Sequence, residues 1–384
     1  MQAGIYLHIP FCRSRCSYCD FATDVYKNGE TVERYVSALV NEIKIFESSD
    51  FNCSLTQTVP IKSVNTIYFG GGTPSLLIPK LLEKILDAIY GKFPVTANSE
   101  ITMEMNPATV TPDTLREYKK LGVNRASFGA QTFDDAELKR LGRRHTAQDV
   151  RETIELLRSA GFENVSFDLI AGLPRQTLKD WERNLDEALK LKPEHLSLYL
   201  LEIHEATPLA EQIRSKRQPM PDEDLSAEMY ELMLKKVSEK DYEQYEISNF
   251  CRPNFQSKHN SKYWRLDTVF GFGCSAHSFD GEKKRWANER DTLKYVETIE
   301  KNLSPIVEEI EIDLKSEYAF LGLRLSEGID LNEYKKRFGA NLTEEYAEDL
   351  KRFQEAKLIE ISGNRLKLTN KGYLFSNEVF AVFV

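Results

Sequence analysis

The feature that most constrains the fold is a regular alternation of apolar runs and amphipathic stretches through residue 201. Runs typical of buried strands cover residues 4–9, 66–69, 100–105, 125–129, 164–170 and 195–201. Helical periodicity appears between them, at residues 31–47, 80–90, 111–121, 147–160 and 178–191. This order predicts an α/β fold with a parallel sheet covered by helices, and six units fit an incomplete (β/α)6 barrel. The active sites of such barrels lie at the C-terminal ends of the strands.

Three cysteines follow the first apolar run directly, at positions 12, 16 and 19. Cys12, Cys16 and Cys19 have the spacing C-x3-C-x2-C. Three thiolates can bind three irons of a cubane [4Fe–4S] cluster, which leaves the fourth iron open for an exogenous ligand. A structural zinc site is the alternative, with His8 as its fourth ligand. A disulfide framework is disfavoured, because the 384 residues contain only six cysteines.

Composition excludes several classes of function. The net charge of −9 argues against electrostatic binding of nucleic acid, which needs a basic face. The sequence has no apolar run near the ~18 residues that a membrane span requires, so it does not predict an integral membrane protein. Reduced cysteines and the lack of a recognisable signal peptide predict a cytoplasmic protein, with transient membrane association left open.

Polar and glycine-rich motifs fall at the predicted strand ends. The loop Gly70-Gly71-Gly72-Thr73 follows the second strand, and its glycines permit close approach of backbone N–H groups to a ligand. It lacks the Gly-Lys-Ser/Thr sequence of a phosphate loop. Four polar residues lie at successive predicted strand ends, namely Glu104, Gln131, Arg143 and Asp168. For each of them, the alternative is an ordinary hydrogen-bonded core residue.

The alternation stops after about Pro208. A long helix is predicted at 222–240, and further helices at 314–325, 331–338 and 344–356. Two short runs, 358–361 and 365–368, flank a Ser-Gly-Asn turn and predict a hairpin. Helices followed by a hairpin indicate a small winged-helix-like C-terminal domain. The acidic surroundings favour a packing or partner role for this domain over DNA binding.

The motifs resemble those of the radical S-adenosylmethionine (SAM) superfamily. The cysteine motif after Tyr6-Leu-His-Ile-Pro-Phe, the GGGTP loop and Ser127-Phe-Gly-Ala-Gln131 are similar to the oxygen-independent coproporphyrinogen III oxidase group, over essentially the whole chain. That group contains decarboxylases and haem chaperones. The resemblance implies a [4Fe–4S] cluster on the three cysteines and a SAM site on matching positions. These positions are Tyr6, Tyr18, Gly71, Gly72, Thr73, Glu104, Gln131, Arg143 and Asp168.

Two features place the chain closer to the chaperones. The decarboxylases carry a further cysteine two residues after the third cluster cysteine, where this chain has Phe21. The sequence from His259 to Trp264 matches the HNxxYW motif of the chaperones, which implies haem contacts for His259, Asn260, Tyr263 and Trp264. The expected function is therefore to bind haem and deliver it to apo-haemoproteins, without catalytic residues. Radical decarboxylation of coproporphyrinogen remains the alternative.

The end of the alternation, the HNxxYW motif and the helix–hairpin pattern predict a domain division. Residues 1–210 would form the partial barrel, 211–300 a haem-motif extension packed on it, and 301–384 the C-terminal domain. His277, Cys251 and Cys274 stay open as further haem ligands. Cys53, Cys251 and Cys274 are isolated in the sequence and are expected to be ordinary buried thiols, with haem ligation as the alternative for the last two. His145 and His204 are expected to be structural or exposed.

Overall fold

A computed structural model of the chain describes residues 2–25, 28–46 and 61–384, so Cys53 lies outside the described residues. The strands up to residue 200 are β1 (Gln2–Ile9), β2 (Phe11–Cys12), β3 (Asp24–Val25), β4 (Ser63–Gly71), β5 (Val95–Met105), β6 (Arg125–Gln131), β7 (Val165–Ala171) and β8 (His195–Leu200). Neighbours in the order β1-β4-β5-β6-β7-β8 pair in parallel. These six strands confirm the predicted partial barrel.

Helices cover the outer face of this sheet. They are α1 (Gly29–Ile45), α2 (Pro79–Lys92), α3 (Pro112–Lys120), α4 (Asp135–Arg140), α5 (Ala147–Ser159) and α6 (Leu178–Lys190). All except α4 were predicted, because local signals mark their ends. Thr111, Thr146 and Thr177 each form a capping box that supplies partners for otherwise unpaired N–H groups.

The alternation of side chains along each strand separates an apolar layer from a polar one. Ile5, Leu7, Ile67 and Phe69 are fully buried in the core that includes the helices. The intervening residues face the barrel interior and carry much of its chemistry, and they include Tyr6, Thr66, Tyr68, Glu100, Thr102, Glu104 and Arg125. The period of two therefore places the candidate site residues inside the barrel.

The segment after β8 extends the sheet at both edges. It contains α7 (Pro208–Arg214), α8 (Glu223–Ser238), β9 (Glu243–Glu246), β10 (Asn249–Cys251), α9 (Lys258–Trp264), β11 (Val269–Phe272), β12 (His277–Phe279), β13 (Lys284–Asn288), α10 (Thr292–Glu300) and β14 (Ile306–Glu311). Antiparallel β10 and β9 follow β8, whereas β11 pairs in parallel with β1 and leads into antiparallel β12, β13 and β14. The division at residues 210 and 300 stays a prediction.

The remaining residues form a helical unit with a small sheet. Its elements are α11 (Leu314–Arg324), β15 (Ile329–Asp330), α12 (Leu331–Phe338), α13 (Leu342–Glu345), α14 (Ala347–Glu355), β16 (Ile359–Ser362), β17 (Arg365–Leu368), α15 (Asn370–Leu374) and α16 (Ser376–Phe380). The hairpin β16–β17 pairs with β15 in the order β15-β17-β16. The helix predicted at 344–356 is two helices, because Tyr346 leaves the helical conformation between them. In the residues described, no helix combines the length and apolarity of a membrane span.

Candidate functional site

The cysteine loop lies at the C-terminal end of β1. Cys12 ends β2, and all three cysteines are partly exposed. Backbone hydrogen bonds fix the loop, from Ser17 N–H to the Leu141 carbonyl at 2.9 Å and from Leu209 N–H to the Ser17 carbonyl at 2.8 Å. Burial raises the pKa of the Cys12 thiol to about 11. Bound iron is therefore the factor that would favour the thiolate here.

The arrangement fits a cluster better than a single metal ion. In the described part of the chain, no three His, Cys, Asp or Glu side chains converge on one metal position. A cubane cluster binds each thiolate at a different iron, so its cysteines need not converge. His8 is not free as a zinc ligand, because Nδ1 lies 3.1 Å from the Tyr6 hydroxyl and Nε2 lies 2.8 Å from the Ala22 carbonyl.

The glycine loop after β4 packs against the chain entering the cysteine loop. Gly72 N–H donates to the Ile9 carbonyl at 2.8 Å. A Cβ atom on Gly72 would lie 2.8 Å from the Phe11 carbonyl oxygen, and one on Gly71 would lie 2.7 Å from the His8 ring. Gly71 also has a φ of +107°, which favours glycine. These glycines therefore allow the two loops to approach each other.

Thr73 and Asn106, which follow β4 and β5, and Arg143, in the loop between α4 and α5, form one hydrogen-bonded group beside the cysteines. Thr73 Oγ1 lies 3.5 Å from Cys12 Sγ and accepts from Asn106 Nδ2 at 2.8 Å. Arg143 Nη2 donates to Asn106 Oδ1 at 2.7 Å, and Nη1 lies 3.6 Å from Cys16 Sγ. Arg143 Nε is buried without a partner among the described residues. A cavity of about 60 Å³ lies between these side chains.

Asn106 was not predicted as a site residue. Its position at the end of β5, just before Pro107, follows the rule that identified Glu104, so the signal was present in the sequence.

Glu104 and Asp168 place two carboxyl groups in the barrel interior. Glu104 accepts from the Tyr68 hydroxyl at 2.6 Å and from Gly71 N–H at 3.1 Å. Burial raises the pKa of Glu104 to about 7, and hydrogen bonds from Tyr68 and Gly71 oppose this effect. Burial also raises the pKa of Asp168 to about 6, against a hydrogen bond with Ser197. Both groups therefore change charge easily when a cation approaches.

The other predicted SAM residues surround these groups. Tyr6 packs on Tyr68 with ring centroids 6.1 Å apart. Tyr18 packs against a small apolar cluster formed by Leu141, Ile170 and Leu173. Gln131 ends β6 at an irregularity in the β6–β7 pairing, with a φ of +69°. A residue other than glycine rarely holds this conformation without a local reason, and strand ends at binding sites are a common place for it.

The HNxxYW motif forms helix α9, whose first turn enters the barrel interior. Glu100 on β5 accepts from the backbone N–H groups of Lys258 and His259 at 3.2 and 3.1 Å. His259 Nδ1 lies 2.9 Å from Thr66 Oγ1, and Nε2 lies 3.1 Å from the Tyr263 hydroxyl. Burial lowers the pKa of His259 to about 3. The imidazole is therefore neutral and has both nitrogens hydrogen-bonded.

The rest of the motif has three different environments. Tyr263 is 37% exposed. Trp264 packs under Arg324 of the C-terminal helices, with the guanidinium carbon 4.3 Å from the ring centroid. Asn260 is half-buried, and its backbone N–H donates to Ser257 Oγ at 3.3 Å. The motif therefore joins the barrel to the C-terminal unit and presents Tyr263 to solvent.

Comparison with known proteins identifies the family. Residues 6–188 match the Radical SAM superfamily, and residues 311–375 match the HemN C-terminal domain. The heme chaperone HemW of Bacillus subtilis (strain 168) is 36% identical over 99% of this chain and 98% of its own length. The heme chaperone HemW of Lactococcus lactis is 34% identical over 99% and 96%. The chain belongs to the HemW family.

The fold of this HemW family member also matches a solved structure. Coproporphyrinogen III oxidase (HemN) from Escherichia coli, described as a radical SAM enzyme, superposes with a TM-score of 0.83. The match covers 100% of this chain and 90% of that chain at 20% sequence identity, so it supports the fold alone.

The remaining candidate residues of this HemW family chain are scattered. His277 is exposed at the start of β12, whereas Cys251 and Cys274 are fully buried. Cys274 Sγ lies 3.6 Å from the Tyr35 hydroxyl and 3.5 Å from Thr292 Oγ1. Phe21 is 66% exposed beside the cysteine loop. A larger cavity of about 490 Å³, between α8 and the start of α15, contains none of the predicted site residues.

His145 and His204 differ in environment, because His145 lines the cavity beside Arg143 and Asn106. His145 is buried with Nε2 3.2 Å from the Ala130 carbonyl, and His204 is exposed beside Glu202. Both positions agree with the structural or solvent-exposed roles expected for them.

Proposed function

We propose that this protein is a haem chaperone that holds a SAM-ligated [4Fe–4S] cluster, binds haem and delivers it to apo-haemoproteins in the cytoplasm. The observation that carries the proposal is the approach of Thr73 and Arg143 to Cys12 and Cys16 in a chain of the HemW family. Hydrogen-bond donors beside thiolates are what a cluster site needs, because they stabilise sulfur that carries negative charge.

The residues around the cysteines fit the SAM site that the family implies. A bound cluster supplies an iron with an open coordination position. Glu104 suits the ammonium of a methionyl group, and Arg143 suits its carboxylate. Asp168 suits ribose hydroxyls, and Tyr18 suits the adenine ring. The proposed set is completed by Tyr6, Gly71, Gly72, Thr73 and Gln131.

The HNxxYW motif is the proposed haem site, with contacts from His259, Asn260, Tyr263 and Trp264. The partial exposure of Tyr263 supports this assignment, because it brings an aromatic side chain of the motif to the surface. The adjacent aromatic Trp264 offers apolar surface to a macrocycle. Haem is the cargo in this proposal, and haemoproteins such as respiratory-chain components are the acceptors.

Radical decarboxylation of coproporphyrinogen is the second candidate, because residues 311–375 match the HemN C-terminal domain. Phe21 argues against it. Phe21 stands where the decarboxylases carry a cysteine, and its phenyl group has no acidic proton and cannot donate a hydrogen atom as a thiol can.

Anaerobic reconstitution with iron and sulfide, followed by parallel assays, tests the proposal. We expect stoichiometric haem binding, haem transfer to an apo-haemoprotein, and no protoporphyrinogen IX from coproporphyrinogen III with SAM and reductant. Multiple turnovers of coproporphyrinogen would replace the chaperone with the enzyme. Failure of the wild-type chain to bind haem would also contradict the proposal.

A further inference from the structure

The two edges of the large sheet differ in what covers them. At one edge, the C-terminal unit covers β9, because Ser326 N–H donates to the Tyr245 carbonyl at 3.0 Å and the Ser326 hydroxyl donates to the Gln244 carbonyl at 2.8 Å. At the other edge, β14 pairs with β13, and among the described residues no other segment hydrogen-bonds to the backbone of residues 307–311. One edge of the sheet is therefore open.

The pairing of β14 with β13 identifies the open backbone groups. Ile312 N–H donates to the Lys283 carbonyl at 2.8 Å. Over residues 308–312 the register is regular, so hydrogen-bonded and non-hydrogen-bonded residues alternate along the strand. The N–H and carbonyl groups of Glu309 and Glu311 therefore point away from the sheet. They offer two donors and two acceptors to an added strand.

β14 is also exposed on both of its faces. Five of its six residues are exposed, including the apolar Val307 at 64% and Ile310 at 45%. An exposed edge strand with apolar side chains is a template for pairing with another chain. The whole surface that such a chain would contact is therefore accessible in this fold.

The charge of β14 determines which kind of chain can pair with it. All three charged residues of the strand are glutamates, Glu308, Glu309 and Glu311. The last two form ion pairs with neighbouring lysines, but both glutamates remain exposed, and exposed ion pairs contribute little. Two copies of β14 paired with each other would bring glutamates together, which is destabilising. A strand that carries lysine or arginine would instead place opposite charges side by side.

We propose that β14 is a docking edge for a basic, extended segment of a partner protein, which adds to the sheet as a further strand. The backbone groups of Glu309 and Glu311 supply the hydrogen bonds, and the alternation of glutamates with Val307 and Ile310 selects basic and apolar side chains. No residue proposed for the cluster, SAM or haem lies on β14. A failure of the haem-chaperone function would therefore leave this docking edge unaffected.

Amide hydrogen exchange of the full chain, with and without a peptide, tests the proposal. The peptide has about ten residues, the length of a long strand, and alternates lysine with valine. In the free chain, the amides of Glu309 and Glu311 should exchange faster than that of Ile310. The peptide should slow exchange at Glu309 and Glu311, and a matched peptide that alternates glutamate with valine should not.

Two substitutions of Glu309 separate the open backbone from the charge. Both Glu309→Pro and Glu309→Gln remove the carboxylate, but only proline also removes the outward N–H group, a change that edge strands tolerate. We expect the proline variant to bind the lysine–valine peptide about 2–10-fold more weakly than the glutamine variant, as the loss of one backbone hydrogen bond predicts. Equal unfolding midpoints of the two variants show that the strand stays folded.

Three results would overturn the proposal. The first is equal peptide affinity of two folded Glu309 variants, and the second is unchanged exchange at Glu309 and Glu311 in the wild type with the lysine–valine peptide, a measurement that needs no variant. The third is slow exchange of both amides in the free chain together with a dimer in analytical ultracentrifugation, because a second copy of the chain would then occupy the edge.

Discussion

The Asn106 side-chain amide donates from Nδ2 to Oγ1 of Thr73 over 2.8 Å. The same side chain accepts from Arg143 at Oδ1, so one amide orients both residues that approach the cluster cysteines. Outer hydrogen-bond partners of this kind set the orientation of groups at metal centres. Asn106 therefore belongs to the candidate site although it touches no cysteine in the contacts described.

We predict that Asn106→Leu weakens SAM binding by about 10–100-fold, because a lost charge-assisted hydrogen bond costs about 1.5–3 kcal/mol. Calorimetry on the reconstituted protein measures this affinity. Asn106→Asp is the control, since its carboxylate can accept from both Arg143 and Thr73. Wild-type SAM affinity in the leucine variant would remove Asn106 from the site.

We predict that the wild-type chain binds about four irons and four sulfides after anaerobic reconstitution, as a cubane requires. Replacement of Cys12, Cys16 and Cys19 together by alanine should abolish iron binding and the thiolate-to-iron charge-transfer absorption. Cys251→Ala should retain both, because Cys251 is a fully buried thiol at the end of β10. One zinc and no iron in the wild type would contradict the cluster assignment.

We predict that Gly72→Ala lowers both the unfolding midpoint and the cluster content. The added methyl group would lie 2.8 Å from backbone atoms of Pro10 and Phe11, which cannot rotate away. Overpacking of this kind typically costs about 1–3 kcal/mol. Gly91→Ala is the matched control, because a Cβ on Gly91 in α2 meets nothing within 4 Å. Equal iron content in the two variants would show that the loops tolerate separation.

We predict a pH-dependent contribution to stability from Glu42. This carboxyl accepts from Gly273 N–H at 2.8 Å, from the Tyr295 hydroxyl at 2.5 Å and from Asn288 Nδ2 at 2.6 Å. Burial nevertheless raises the pKa of Glu42 from 4.5 to about 7. The folded chain therefore binds more protons than the unfolded chain between these values, and the free energy of unfolding falls as pH rises.

The expected loss between pH 4.5 and 7 is about 3 kcal/mol, from the shift in the Glu42 pKa and ~1.4 kcal/mol per unit. Urea denaturation at a series of pH values measures it. Glu42→Gln cannot titrate and should show a shallower dependence than the wild type. Parallel curves for the two proteins would rule out Glu42 as the source.

The sequence predicted the parallel strands and five of their covering helices because their signals are local. Alternating burial defines β4 and β5, and threonine caps define the starts of α3, α5 and α6. The extension of the sheet by β11–β14 could not be predicted, since strands of three to six residues gain their pairing from distant partners.

The environment of His259 was beyond sequence reasoning for the same reason. Its partners Thr66 and Glu100 are distant in the chain, and only the folded sheet brings them to α9. The motif therefore identified the residues but not their burial. Nothing in the sequence indicated that Tyr263 would be more exposed than His259.

Strand β5 carries Glu100, which contacts the start of α9, and Glu104, which contacts the glycine loop. At about 3.3 Å per residue, the strand separates Glu100 from Glu104 by roughly 13 Å along its length, and Tyr68 connects their surroundings by bonding Glu104 and stacking on His259. A register slip of one residue in β5 would turn Glu100 and Glu104 to the opposite face together. An insertion within this stretch would therefore disturb the contact with α9 and the contact with the glycine loop at the same time.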